Sequence, residues 1–112
     1  MILGLGTDIV SIDRIKEREH LYSHYLSEKD TEYVRKFRNH WEHAAGFWAA
    51  KEALVKALNN RRLEFTKITI LHDEEGKPSF DYTPTEGVLH LSISHEKTYA
   101  TATVIWETDP IL

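Results

Sequence analysis

Glu52 and Lys56 stand four residues apart in the stretch FWAAKEALVKAL, where nearly every other position is apolar. On a helix that spacing puts both side chains on one narrow stripe. Exposed, such a pair is an ordinary intrahelical ion pair worth about 0.2–0.5 kcal/mol. One turn away along this stripe, however, are Trp48 and Asn60, whereas surface pairs usually have charged neighbours. The pair therefore reads either as a surface ion pair or as a polar site let into a buried helix. Asp8, in LGTDI, is a second carboxylate: a turn residue, the N-cap of a following helix, or a member of the same site. SISHE puts Ser94 and His95 at a strand end, where His95 is either a partly exposed turn histidine or a hydrogen-bond donor to a ligand phosphate. Lys77, in EEGKPSF, reads most simply as a lysine at a hairpin tip.

Several other spacings carry no chemistry. His20 and His24 lie four apart and His40 and His43 three apart, so either pair fits a metal on a helix, but neither has a third ligand near it in the sequence and no HExxH occurs. GLG at positions 4–6 is too short for a dinucleotide fingerprint, and there is no G-x-S-x-G, Walker A or EF-hand pattern. With no cysteine, neither a disulfide framework nor a thiolate zinc site is available.

The elements that must position these groups are legible from patterning. At 112 residues with 41% hydrophobic and 29% charged content, residues 1–112 read as one globular domain able to bury a core. The apolar start MILGLGTDIV is short, lacks a basic region and runs into Asp8, so it is read as neither signal peptide nor membrane span; a cytoplasmic location is expected. A net charge of -4 argues against nucleic acid as a partner. Basic residues still cluster at Arg14, Lys16 and Arg18, and at Arg35, Lys36 and Arg38; with Asp13, Glu17 and Glu19 nearby, these read first as solvated helix faces.

Residues 2–6 predict a short strand ending at a Gly-Thr-Asp turn, and Ile9, Ile12 and Ile15 predict a helix from about Val10 to Glu19. Ser27 and Asp30 have the spacing of a capping box opening a helix from Glu28 to about Phe37. A long helix, apolar nearly all round and therefore buried, runs from about Trp41 to Leu58 and ends at Asn59-Asn60. TKITILH and SFDY form a hairpin, VLHLSIS alternates with Leu89, Leu91 and Ile93 on one face, and YATATVIWE returns antiparallel to it. Helices early and strands late give an α+β class, a long helix on an antiparallel sheet.

In order, GTDIVSIDRI, FWAAKEALVKAL, GKP and LSISHEKTYATATVIW resemble the phosphopantetheinyl transferase superfamily, most closely its small holo-acyl-carrier-protein synthases. The resemblance covers nearly the whole chain. It implies an α+β homotrimer with active sites between subunits, which moves the phosphopantetheine arm of coenzyme A onto a serine of apo-acyl carrier protein and releases adenosine 3',5'-bisphosphate. It also implies that Asp8 and Glu52 ligate Mg²⁺, that Glu52 and Lys56 are catalytic, and that Lys56, Asn59, Lys77, Pro78, Ser94 and His95 face coenzyme A. The serine proton goes to Glu52 or to a water on the metal. Acyl carrier proteins are acidic, so the basic first helix becomes a docking surface, with Arg14 matched directly and Arg18 one turn further on.

This chain departs from the pattern at two positions. Phe47 stands where many members carry an arginine that reaches coenzyme A, with Arg61 or Arg62 as possible compensation; Asn59 stands where a glycine is usual, and Asn tolerates the left-handed helix end. Lys51 lies off the Glu52–Lys56 stripe and has no role on this reading. Two other functions compete: a non-catalytic trimeric binding protein of the same fold, and a metal-dependent nucleotide phosphohydrolase.

Overall fold

The structure, a computed structural model, describes residues 1–109. The chain forms β1 (Ile2–Ser11), α1 (Ile12–Glu17), a 3-10 helix (Glu19–His24), α2 (Glu28–Val34) and α3 (His40–Leu58). A 3-10 turn (Phe65–Lys67) follows, then β2 (Thr69–His72), β3 (Pro78–Asp81), β4 (Val88–His95) and β5 (Tyr99–Glu107). β1, β5 and β4 form one antiparallel sheet in that order, and β2 and β3 form a separate hairpin. The α+β class and the long helix on an antiparallel sheet are as expected.

α3 is rich in alanine, the best helix former. Ala44, Ala45, Ala49, Ala50, Ala53 and Ala57 are all buried, so the helix presents a shallow surface to the sheet. The strand meets it with glycine. A Cβ on Gly4 would lie 1.9 Å from the Ala57 carbonyl oxygen, and one on Gly6 equally close to that of Ala53. GLG is therefore a contact motif: it lets β1 lie directly on the backbone of α3. The helix ends on Asn59 in the left-handed conformation (φ 51°), whose N–H donates to the Lys56 and Val55 carbonyls.

The other sheet face is bare. Leu5 and Ile9 are each 63% exposed there, Leu5 opposite Ile105 in the register.

The N-terminal boundaries differ from expectation. β1 does not stop at a Gly-Thr-Asp turn; β5 pairs with it through Ser11–Tyr99, and Asp8 sits within the strand opposite Ala102. Ile9 thus belongs to the strand and faces outward, while Ile12 and Ile15 are buried by α1. Ser11 caps α1, accepting from the Arg14 N–H at 3.4 Å, and α1 ends at Glu17 before the chain tightens into the 3-10 helix. α2 ends at Val34, three residues early, and Phe37 turns back to stack on His43 with ring centroids 3.8 Å apart.

Lys51 is fully buried and joins four segments. Its ammonium donates to the Tyr25 carbonyl at 2.7 Å, to the Phe65 carbonyl at 2.8 Å and to the Asp30 carboxylate. Asp30 completes the capping box with Ser27 and accepts the Ile70 N–H at 2.8 Å. Burial pushes the Lys51 ammonium down, and the Asp30 charge and hydrogen bond oppose that shift. The residue without a role in the sequence ties the loop after the first helices, α2 and the hairpin to α3.

Candidate functional site

The close approach of β1 to α3 carries Asp8 to the polar stripe of the helix. Lys56 Nζ donates to the Thr7 carbonyl at 2.9 Å and to Asp8 Oδ1 at 3.2 Å. Glu52 stands one turn before Lys56. Burial pushes its carboxyl above the usual range, the Asp8 charge adds to the shift, and the Lys56 charge partly offsets it. Two carboxylates in one another's field beside one ammonium form an incompletely neutralised group, and hence one that attracts a further cation.

Glu52 and Lys56 open onto a cleft of about 800 Å³ whose wall also includes Trp48, Arg61, Glu64 and Phe65. Trp48 and His24 separate it from a smaller cavity of about 250 Å³, lined in part by Val10, Arg14, Arg18 and Tyr25. The two arginines expected to receive a partner thus lie beside the cleft. Lys16 is turned elsewhere, its ammonium 4.4 Å from the Trp41 ring centroid. The Tyr25 hydroxyl is buried without a partner among the described residues, and burial pushes its pKa up, so it remains protonated.

The remaining predicted residues form a second group. Pro78 and His95 line a cavity of about 180 Å³ together with Glu42, His43, Phe47 and His72. Lys77 is exposed at the hairpin tip beside it. Alternation along β4 puts Ser94 on the outer sheet face with His90 and Ser92, away from His95. Asn59 terminates α3. Within one chain, then, Asp8, Glu52 and Lys56 converge, Arg14 and Arg18 adjoin them, and Pro78 and His95 line a separate cavity. Phe47 is only 2% exposed, stacked on Tyr33 and His72 with centroids 5.6 and 5.8 Å away.

Sequence reasoning missed the imidazole cluster of His43, His72 and His95. His43 had been paired with His40 by spacing, but His40 meets the Tyr22 hydroxyl at 3.0 Å and Glu19 at 3.2 Å. The three histidines come from three elements, so no local spacing reveals them.

The whole arrangement has known counterparts. The model of the 4'-phosphopantetheinyl transferase superfamily matches residues 4–104. A holo-[acyl-carrier-protein] synthase from Caldanaerobacter subterraneus is 36% identical, with 94% of each chain covered, and one from Idiomarina loihiensis is 39% identical, covering 96% of this chain and 98% of the relative. Among solved structures, the Bacillus anthracis holo-(acyl-carrier-protein) synthase in complex with CoA (3',5'-ADP) superposes with a TM-score of 0.89 at 35% identity, covering 97% of this chain and 99% of that one. The Helicobacter pylori synthase in complex with coenzyme A has a TM-score of 0.80 at 29% identity, covering 92% of this chain and 99% of that one. The chain belongs to the holo-acyl-carrier-protein synthase family of the phosphopantetheinyl transferases.

Proposed function

We propose that this chain transfers the 4'-phosphopantetheine arm of coenzyme A to a serine of an apo-acyl carrier protein and releases adenosine 3',5'-bisphosphate. The observation that carries the reading is the convergence of Asp8 and Glu52 on Lys56, beside a cleft that Glu52 and Lys56 line, in a family whose Bacillus anthracis and Helicobacter pylori members bind coenzyme A or its nucleotide. The serine oxygen forms a bond to the pantetheine-bearing phosphorus, and the bond from that phosphorus to the bridging oxygen breaks. The electron pair leaves on the bisphosphate and the serine proton is released.

Each side chain has a task in that exchange. Lys56 reaches a pyrophosphate oxygen and stabilises charge growing on the leaving phosphate. Glu52, one turn from Lys56 on the cleft wall, accepts the serine proton. The hard-oxygen pair of Asp8 and Glu52 fits Mg²⁺, an ion held by one or two carboxylates plus phosphate oxygens. Bound there, Mg²⁺ would neutralise pyrophosphate charge. Arg14 and Arg18, beside the cleft, dock the acidic carrier.

Lys77, Pro78 and His95 hold the nucleotide end, Ser94 stands on the sheet face opposite to that of His95, and Asn59 lets the helix end close to the substrate. Since these groups lie apart from Asp8 and Glu52 within one chain, a site shared between chains accommodates both sets. The bare sheet face with Leu5 and Ile9 supports a homotrimer; sedimentation at three chain masses is expected, and a stable monomer would contradict it.

The direct test incubates the chain with coenzyme A, Mg²⁺ and an apo-acyl carrier protein and weighs the carrier. A gain of one phosphopantetheine supports transfer. Cleavage of coenzyme A without that gain indicates a hydrolase, and neither product indicates a binding protein.

A further inference from the structure

The cavity beside the hairpin tip is walled by imidazoles: His43 from α3, His72 from β2 and His95 from β4. The His43 and His95 rings meet edge to face with centroids 6.0 Å apart, so both imidazoles wall the same small cavity. Among the described residues, no arginine lines this cavity. Position 47, which points into the same region, carries a buried phenylalanine, and Lys77 contributes only from the exposed rim. Among the described residues, the one carboxylate in the lining is Glu42, its Oε2 3.9 Å from His95 Nδ1.

With neutral imidazoles, that lining bears only the Glu42 charge and repels a phosphate. With imidazolium it attracts one. An anion therefore enters most favourably together with a proton.

The groups facing His43 come from four elements. Burial, His95 and His72 hold its imidazole below the ordinary range, and Glu42 opposes them. His72 is itself pushed down by burial, with Asp30 and Asp73 opposing, and the burial-raised Tyr33 phenol contributes no charge. Burial thus disfavours charge on His43 and His72 in the free protein, and a bound dianion opposes that tendency.

We propose that His43 and His95 form a proton-coupled receptor for the 3'-phosphate of the nucleotide, so that coenzyme A binds more tightly in mild acid and takes up a proton as it binds. His43 is a specificity-determining residue here, supplying on demand the positive charge that position 47 lacks. The inference rests on the reading above, in which the nucleotide end of coenzyme A lies at Lys77 and His95.

The test is calorimetric titration of the full chain with adenosine 3',5'-bisphosphate from pH 6 to 8.5, in buffers of different ionisation enthalpy. Wild type is compared with His43→Phe, which preserves an aromatic ring against Phe37, and with His95→Gln as a second variant should the first lose its native melting transition. The ligand phosphates titrate near pH 6 in every case, so differences between proteins isolate the imidazoles. Wild type is expected to lose affinity with rising pH by up to about tenfold per unit for one linked proton. The variants should take up less proton and give a flatter profile, and dephospho-coenzyme A should bind wild type with little pH dependence. Identical proton uptake and profiles in wild type and both variants, with transfer to the carrier intact, overturn this inference alone. Failure of wild type to bind the bisphosphate at any pH overturns it together with the reading of the site.

Discussion

Gly6→Ala tests how the fold builds the site. The added Cβ would stand 1.9 Å from the Ala53 carbonyl oxygen, and real Cβ atoms essentially never approach closer than 3.0 Å. The strand or helix must therefore retreat by at least the difference, 1.1 Å. The contact is backbone against backbone, so no side chain can yield instead. Asp8 lies two residues along the same strand, and the Lys56 bonds to Thr7 and Asp8 are now 2.9 and 3.2 Å; a shift of that size carries both beyond useful hydrogen-bond length. Overpacking of this kind costs about 1–3 kcal/mol. For a chain of this size that is a Tm lower by about 4–12 °C. A displacement of about 1 Å at reacting groups costs on the order of 100-fold in rate. Scanning calorimetry and the carrier mass assay measure the two effects side by side. A variant with native Tm and native turnover would refute the claim that this close approach sets the position of Asp8.

Other perturbations separate the remaining contributions. Lys51→Met leaves Asp30 buried without its counter-charge and two carbonyls without a donor; a loss of about 3–5 kcal/mol is expected, or a Tm lower by about 12–20 °C, and a change of only a few degrees would show that the network relaxes. Arg14→Glu should raise KM for the carrier by about tenfold, as loss of about 1.4 kcal/mol implies, while KM for coenzyme A changes much less; equal effects on both would count against docking at α1. His43 and His72 are held below the ordinary imidazole range, so the unfolded chain binds protons at a higher pH than the folded one. Their contribution to stability is present above about pH 6.5 and is lost as the pH falls below it. The Tm should accordingly be lower at pH 5.5 than at pH 7.5, with a smaller loss in His43→Phe; an equal loss in the variant would remove His43 from that account.

Patterning exposed the regular elements because their signals are local. Period-3.6 apolarity located α3 to within a residue, the Ser27–Asp30 capping box was read correctly, and alternation placed Leu91 and Ile93 inward on β4. Where two signals competed, the local one misled. Ile9, Ile12 and Ile15 have helical spacing, yet pairing with β5 keeps the chain extended to Ser11, so Asp8 is a strand residue and not a turn residue. The Glu52–Lys56 stripe was visible because one helix holds both. The buried Lys51–Asp30 pair was not, since its partners are 21 residues apart and Lys51 looks like any surface lysine in the sequence. The histidine cluster was hidden for the same reason, and GLG was discarded as a nucleotide motif when its glycines serve backbone packing.

In the proposed reaction Glu52 reacts and holds metal without holding the fold. The decisive measurement is the rate of carrier modification by wild type and Glu52→Gln, followed by intact mass as Mg²⁺ is titrated, with melting curves on the same samples. Glu52 is only partly buried and makes no hydrogen bond among the described residues, so the glutamine variant is expected to melt near wild type. Its transfer should fall by at least about 100-fold and lose its dependence on Mg²⁺. Near-normal, Mg²⁺-dependent transfer by a folded Glu52→Gln would contradict the assignment.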